Sequence, residues 1–133
     1  MNIDVSYGIN RRLPGVGFDE ARARITEALK AEGFGVLTEI DMKATLKKKL
    51  DVDVDDYVIL GACNPKLAHK ALTIDAGVGL LLPCNVVVSQ SGADATISAV
   101  NPRAMFSVVE DGAALAPVVD EVEQRLRRAI AAA

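Results

Sequence analysis

Two short apolar runs mark the centre of the chain. Residues 57–64 read YVILGACN, and residues 79–88 read GLLLPCNVVV. Runs this apolar and this short, bounded by turn residues, predict buried strands. Residues 65–72 lie between them and predict a helix, because Asn64 stands at the capping position and Pro65 at the first helical position. The pattern therefore predicts a strand–helix–strand unit that holds both cysteines and the only histidine.

Strand and helix patterns alternate in the chain before this unit. Residues 3–10 alternate apolar and polar side chains, which predicts a half-buried first strand. An apolar stripe at helical spacing over residues 18–32, followed by Gly33 as a left-handed cap, predicts the first long helix. Residues 34–40 predict a second strand, and Asp41 predicts the cap of a short helix.

The chain after Asp41 completes the prediction. Residues 51–56 form an acidic loop, residues 91–94 a hairpin turn, and residues 95–100 the returning strand. One helical turn is expected from Asn101 through Phe106, and a final helix over residues 117–129. The order β, α, β, α, β, α, β, β, α predicts one α+β domain over residues 1–133. Its sheet is expected to be mostly antiparallel, with two main helices on one face.

Three phrases in the sequence carry a family resemblance. They are EGFGVLTEID at residues 32–41, VILGACNP at 58–65 and LPCNVVV at 82–88. They resemble the signature of the domain of unknown function 302 (DUF302) family, and the match extends from Tyr7 to the C-terminal helix. The resemblance implies a small α+β domain similar in layout to TATA-binding-protein-like folds, often dimeric and without an agreed activity. One departure is Gly17, which stands where a serine-like helix cap is expected.

Composition limits the classes of partner. Of the 133 residues, 50% are hydrophobic and 25% are charged, which is typical of a globular protein. The net charge of −3 argues against nucleic-acid binding, and the lack of Trp argues against base stacking. The longest apolar run, residues 78–88, is broken and too short to span a bilayer, and no secretory signal is visible. We therefore expect a cytoplasmic protein with no membrane or nucleic-acid partner and with free thiols.

Common phosphate and metal motifs are incomplete. The three Gly-x-Gly pairs lack the third glycine of a dinucleotide fingerprint, a position held by Glu20, Thr38 or Leu82. The acidic loop has the spacing of the first EF-hand ligands, but Asp56 and Ala62 replace the required glycine and glutamate. Two Cys and one His leave a zinc site without its fourth ligand, so no metal site is predicted. The three lysines at 47–49 are interpreted as a solvated helix end.

The two Cys-Asn pairs are the remaining candidates for a site. Cys63 precedes a helix cap, where backbone N–H groups would lower the pKa of its thiol. Cys84 lies on the following strand, and the amides of Asn64 and Asn85 need partners in an apolar environment. If the two strands are neighbours, Cys63, Asn64, Cys84 and Asn85 line one small pocket, with His69 nearby. The alternative is that the cysteines are small core residues and the asparagines are caps or loop anchors.

Three classes of function remain open from the sequence. The first is a protein that binds a small ligand, or responds to redox state, through the pocket of the two Cys-Asn pairs and His69. The second is a dimeric interaction or scaffold module without chemistry. The third is an enzyme with Cys63 as nucleophile and His69 as base. The sequence names no cofactor, and the partners we expect are a second copy of the chain and a small-molecule ligand.

Overall fold

The fold is known from a computed structural model, which describes residues 1–110 and 112–133. Five strands form one sheet: β1 (Gly8–Leu13), β2 (Gly35–Asp41), β3 (Tyr57–Cys63), β4 (Cys84–Ser91) and β5 (Asp94–Val100). The helices are α1 (Phe18–Ala31), α2 (Met42–Leu50), α3 (Pro65–Ile74), α4 (Pro102–Met105) and α5 (Gly112–Ala132). Two 3₁₀ helices, Ala76–Leu81 and Phe106–Val108, complete the described elements.

The sheet has the order β1-β5-β4-β3-β2, and every neighbouring pair is antiparallel. Helices α1 and α5 pack against one face, where alternate strand residues such as Leu60, Val86 and Ile97 are fully buried. Ile25 of α1 and Leu126 of α5 are also fully buried in this main core. The predicted α+β class, with an antiparallel sheet and two main helices on one face, is confirmed.

Local capping chemistry explains several boundaries. The Asp41 carboxylate accepts a hydrogen bond from Ala44 N at 2.9 Å and begins α2, as its sequence position predicts. Gly33 has a φ of +85° after the last turn of α1, so it ends that helix as the predicted left-handed residue. Gly17 precedes α1 without a side-chain cap, so the departure from the family pattern leaves that helix end uncapped by a side chain.

The first strand, predicted over residues 3–10, was partly wrong: residues 8–10 are in the strand, but β1 spans Gly8–Leu13. Residues 1–7 instead cross the sheet face that the helices leave open; we call them the N-terminal segment. Ser89 Oγ donates to the Met1 carbonyl at 2.6 Å, and Thr96 Oγ1 donates to Asn2 Oδ1 at 3.0 Å. The alternation in residues 3–7 therefore reflects packing on the sheet face and not pairing in the ladder.

The prediction of a strand over residues 79–88 was also partly wrong. Residues Ala76–Leu81 form a 3₁₀ helix, and the strand begins at Cys84. Asp75 caps this 3₁₀ helix by accepting from Gly77 N at 2.8 Å, and Val78 within the helix is buried. An apolar run alone does not distinguish a buried strand from another buried segment, which explains the error.

The last helix begins at Gly112, earlier than the predicted start at residue 117. Pro117 therefore lies inside α5, where it removes one backbone hydrogen bond. The early turns bury Leu115 and Val119 in a second, smaller hydrophobic cluster with Ala71, Val78 and Phe106. We call this group the satellite cluster; its apolar contacts and the alanine-rich sequence of residues 113–116 both favour the helical conformation of this segment.

Candidate functional site

Three of the five predicted site residues border one cavity. Strands β3 and β4 are neighbours, with Ala62 opposite Cys84, so Cys63 and Cys84 lie at the same end of the sheet. Asn64 follows directly and begins α3. All three residues line a cavity between the ends of these strands, α3 and α5.

The cavity is small and almost entirely apolar. Its volume is about 30 Å³, and it lies where the main core meets the satellite cluster. About 10–15 Å³ is enough to hold one water molecule, but such a water needs two or more polar partners. The remaining walls are Phe34, Ala62, Leu67, Ala68, Ala71, Leu82, Phe106, Leu115, Val118, Val119 and Val122. The cavity therefore suits a small apolar group better than a water molecule.

Asn64 is a structural cap as well as a cavity wall. Its Oδ1 accepts from Leu67 N at 3.3 Å, and its Nδ2 donates to the Glu32 carbonyl at 3.4 Å. Both distances exceed the usual range for N–H···O bonds, so the side chain is held weakly. The predicted cap of α3 is confirmed, and the second bond ties it to the end of α1.

The expectation of a lowered pKa for Cys63 was wrong, because burial raises the pKa of this half-buried thiol. The backbone N–H groups at the start of α3, which would stabilise a thiolate at Cys63, are largely absent or already hydrogen-bonded. Pro65 has no N–H, Leu67 N is bonded to Asn64 Oδ1, and Ala68 N is bonded to the Asn64 carbonyl at 2.8 Å. Desolvation therefore dominates over the helix end.

Cys84 is a buried core thiol. Burial, with a smaller contribution from the nearby Cys63, raises its pKa to about 11. Because the thiolate is the reactive form, both thiols are weak nucleophiles at neutral pH. Neither cysteine forms a disulfide.

The structure places the other two predicted residues elsewhere. Asn85 is exposed and alternates with the buried Cys84 and Val86, so it lies on the open face of the sheet. There it lines a groove of about 490 Å³ beneath the N-terminal segment. His69 is exposed on α3 and lines a second groove, of about 580 Å³, which also contains Asn64.

Sequence reasoning missed the cavity wall supplied by α5 and by the 3₁₀ helix at Phe106–Val108. Phe106, Leu115 and Val119 close the cavity on this side, at a sequence distance of more than twenty residues from either cysteine. Val118 and Val122 also line the cavity, and their helical spacing is typical of an inward face, but no local signal indicates which strand end such a face meets.

A family model described as domain of unknown function DUF302 matches residues 9–133. The chain belongs to the DUF302 family. This DUF302 chain is also similar to a solved structure, the crystal structure of an uncharacterized conserved protein DUF302 from Bacillus stearothermophilus. The TM-score is 0.86 with 30% sequence identity, over 96% of this chain and 98% of that chain. No curated protein matches the sequence.

The described residues of this DUF302 protein show neither a metal-binding cluster nor a membrane-spanning helix. Within residues 1–110 and 112–133, no group of three or more His, Cys, Asp and Glu side chains is placed to hold a metal ion. The helices of the same residues include none that combines the length and the apolar character needed to cross a membrane.

Proposed function

We propose that this DUF302 protein binds a small ligand with an apolar part in the cavity bounded by Cys63, Asn64 and Cys84. The observation that carries the proposal is a void with apolar walls at the junction of two hydrophobic clusters. Native interiors are close-packed, and voids larger than a water molecule are few. Walls that lose packing contacts on one side destabilise the fold unless a ligand restores those contacts.

The state of the thiols supports binding over thiol chemistry. With both pKa values raised by burial, Cys63 and Cys84 are protonated at neutral pH and act as soft, weakly polar walls. His69 is exposed and lines the outer groove, not the cavity. This position disfavours a role for His69 as the base that deprotonates Cys63. A redox role would be secondary, through Cys63, the less buried of the two thiols.

A titration with 1-butanol, followed by backbone amide chemical shifts, tests this proposal. We expect saturable shifts concentrated at cavity walls such as Ala62, Ala71 and Val119. Ala68→Leu should fill the cavity from α3 and abolish these shifts. Ala44→Leu, the same change on the exposed surface of α2, should leave them intact. Shifts that are absent, or equal in both variants, would contradict cavity binding.

The open sheet face favours a second role as a homodimerisation module. The helices cover only one face of the sheet, and large apolar side chains remain exposed on and near the other: Tyr7 at 64%, Leu37 at 67% and Ile40 at 46%. Antiparallel sheet faces that bury apolar side chains commonly pack against a second sheet. A second copy of the chain would supply such a sheet through a two-fold symmetric contact.

Sedimentation equilibrium tests the dimer. We expect a mass of about twice 14.0 kDa at micromolar concentration. Ile40→Lys, on the edge strand β2, should shift the protein to monomer. Leu80→Lys provides the matched control, because Leu80 is 91% exposed on the 3₁₀ helix after α3. A wild-type protein that sediments only as a monomer would remove this proposal.

A further inference from the structure

A basic groove lies directly outside the cavity. It has a volume of about 580 Å³, and its walls include Lys66 and Lys70 of α3 and Arg125 of α5. This volume is within the range of about 300–1,000 Å³ that is usual for small-molecule sites. The groove is therefore large enough for the polar part of a ligand whose apolar part enters the cavity.

The groove carries an excess of positive charge. Glu121 is the one carboxylate among the described residues that line it, and it accepts from Arg125 Nε at 3.3 Å. Among the residues that the structure describes, Lys66 and Lys70 form no ion pair with any carboxylate. Arg125 also lies 3.9 Å from Glu32, which pairs with Arg128 at 2.9 Å, so the two arginines balance the two glutamates. Lys66 and Lys70 then leave two positive charges in a protein whose net charge is −3. The local field thus favours an anion although the whole chain is acidic.

The groove and the cavity share two walls, Asn64 and Leu67. These side chains form the partition between the charged outer space and the apolar inner space. Within the part of the chain that the structure describes, the Asn64 amide makes two hydrogen bonds, and both are long, at 3.3 and 3.4 Å. Displacing it costs less than breaking bonds of ordinary length, so the partition can open to a ligand.

We infer that the ligand is a small carboxylate with a short apolar tail. Its acid group lies in the groove between Lys66, Lys70 and Arg125, and its tail passes Asn64 into the cavity. The inference rests on the proposed cavity function and adds the chemical class of the ligand. A tail of a few carbons follows from the cavity volume of about 30 Å³.

Three probes separate the parts of this inference: butyrate carries both acid and tail, 1-butanol the tail alone, and inorganic phosphate the charge alone. Amide chemical-shift titrations of the wild-type protein should show butyrate binding about five- to tenfold more tightly than either of the others. The double variant Lys66→Gln/Lys70→Gln should remove this advantage over 1-butanol. The double variant Lys48→Gln/Lys49→Gln makes the same charge change on α2, outside the groove, and should retain it.

Each other outcome overturns the inference in a distinguishable way. Equal affinities for butyrate and 1-butanol would overturn the role of the charge and leave the cavity proposal standing. Phosphate binding as tight as butyrate binding would overturn the role of the tail. If both double variants lose the affinity advantage of butyrate over 1-butanol equally, the advantage comes from the net charge of the protein and not from the groove, and the inference is wrong. If neither butyrate nor 1-butanol shifts the cavity walls, the proposed function fails together with the inference.

Discussion

Gly61 on β3 shows how one residue fixes the packing at the end of the sheet. A Cβ added at this position would lie 2.2 Å from Thr38 Oγ1 and 2.9 Å from Pro83 Cγ. The Thr38 side chain can rotate, but the ring of Pro83 is rigid and is part of the chain that leads into Cys84. The absence of a side chain at Gly61 therefore lets β2 and the start of β4 lie close to β3.

We predict that Gly61→Ala lowers the free energy of unfolding by about 1–3 kcal/mol, the usual cost of overpacking. Urea denaturation measures the change. Gly35→Ala on β2 is the matched control, because an added Cβ there meets no atom within 4 Å, and a change within about 0.5 kcal/mol is expected. Thr38→Ala in the Gly61→Ala background should recover part of the loss. Equal stability of the two glycine variants would contradict the packing argument.

Cys84 should make stability depend on pH in the alkaline range. Its pKa is about 11 in the fold against an ordinary value of 9.0, so the unfolded chain releases this proton first. The protonated Cys84 thiol therefore contributes its full stabilisation below pH about 9, and this stabilisation is lost as pH rises toward 11. We predict that the wild-type protein loses roughly 1–2 kcal/mol more than Cys84→Ala between pH 8 and 10.5. Urea denaturation measures both losses. An equal loss of unfolding free energy in the two proteins across this pH range would contradict the prediction.

At the level of elements, periodicity and capping residues predicted most of the fold. The caps at Asp41 and Asn64 each combine a short polar side chain with a following helical pattern, and both helices begin there. The hairpin between β4 and β5 was also predicted, because its turn residues lie between two strand patterns. Such features depend on neighbours in sequence, which explains why the sequence reveals them.

The errors arose where tertiary packing decides the structure. The N-terminal segment has the alternation of a strand, yet side chains of the open sheet face hold it instead of a partner strand. The first turns of α5 precede Pro117, which the sequence predicted as the start of the helix, and they pack Leu115 into the satellite cluster. Neither contact leaves a local pattern that distinguishes it from the alternative.

The candidate site was predicted in part for the same reason. The pairing of β3 with β4 brings Cys63, Asn64 and Cys84 together, as expected if these strands are neighbours. Strand alternation then sends Asn85 to the opposite face from Cys84, a consequence that follows once β4 is known to begin at Cys84. The basic groove was not anticipated, because Lys66 and Arg125 meet only through the packing of α3 against α5.

At the scale of the whole molecule, the open sheet face and the distribution of charge decide whether nucleic acid can bind. Some DNA-binding proteins use the face or strands of a sheet to contact a groove of the duplex. Here the corresponding face presents apolar side chains such as Ile59 and Val87, and the N-terminal segment covers part of it. Arg12 on β1 is paired with Asp94, and Lys47 on α2 is paired with Asp51 and Asp53.

We predict that the protein has no measurable affinity for duplex DNA. Non-specific binding, with dissociation constants of about 10⁻⁴ to 10⁻⁶ M, depends on several cations that replace counterions along the phosphate backbone. The net charge of −3 opposes this exchange, and the basic groove beside α3 is a local feature with two excess charges. Fluorescence polarisation of a labelled duplex should stay flat up to about 100 µM protein, at both 50 and 200 mM salt. Micromolar binding that weakens steeply between these two salt concentrations would show that the few unpaired cations are sufficient, and the charge argument would be wrong.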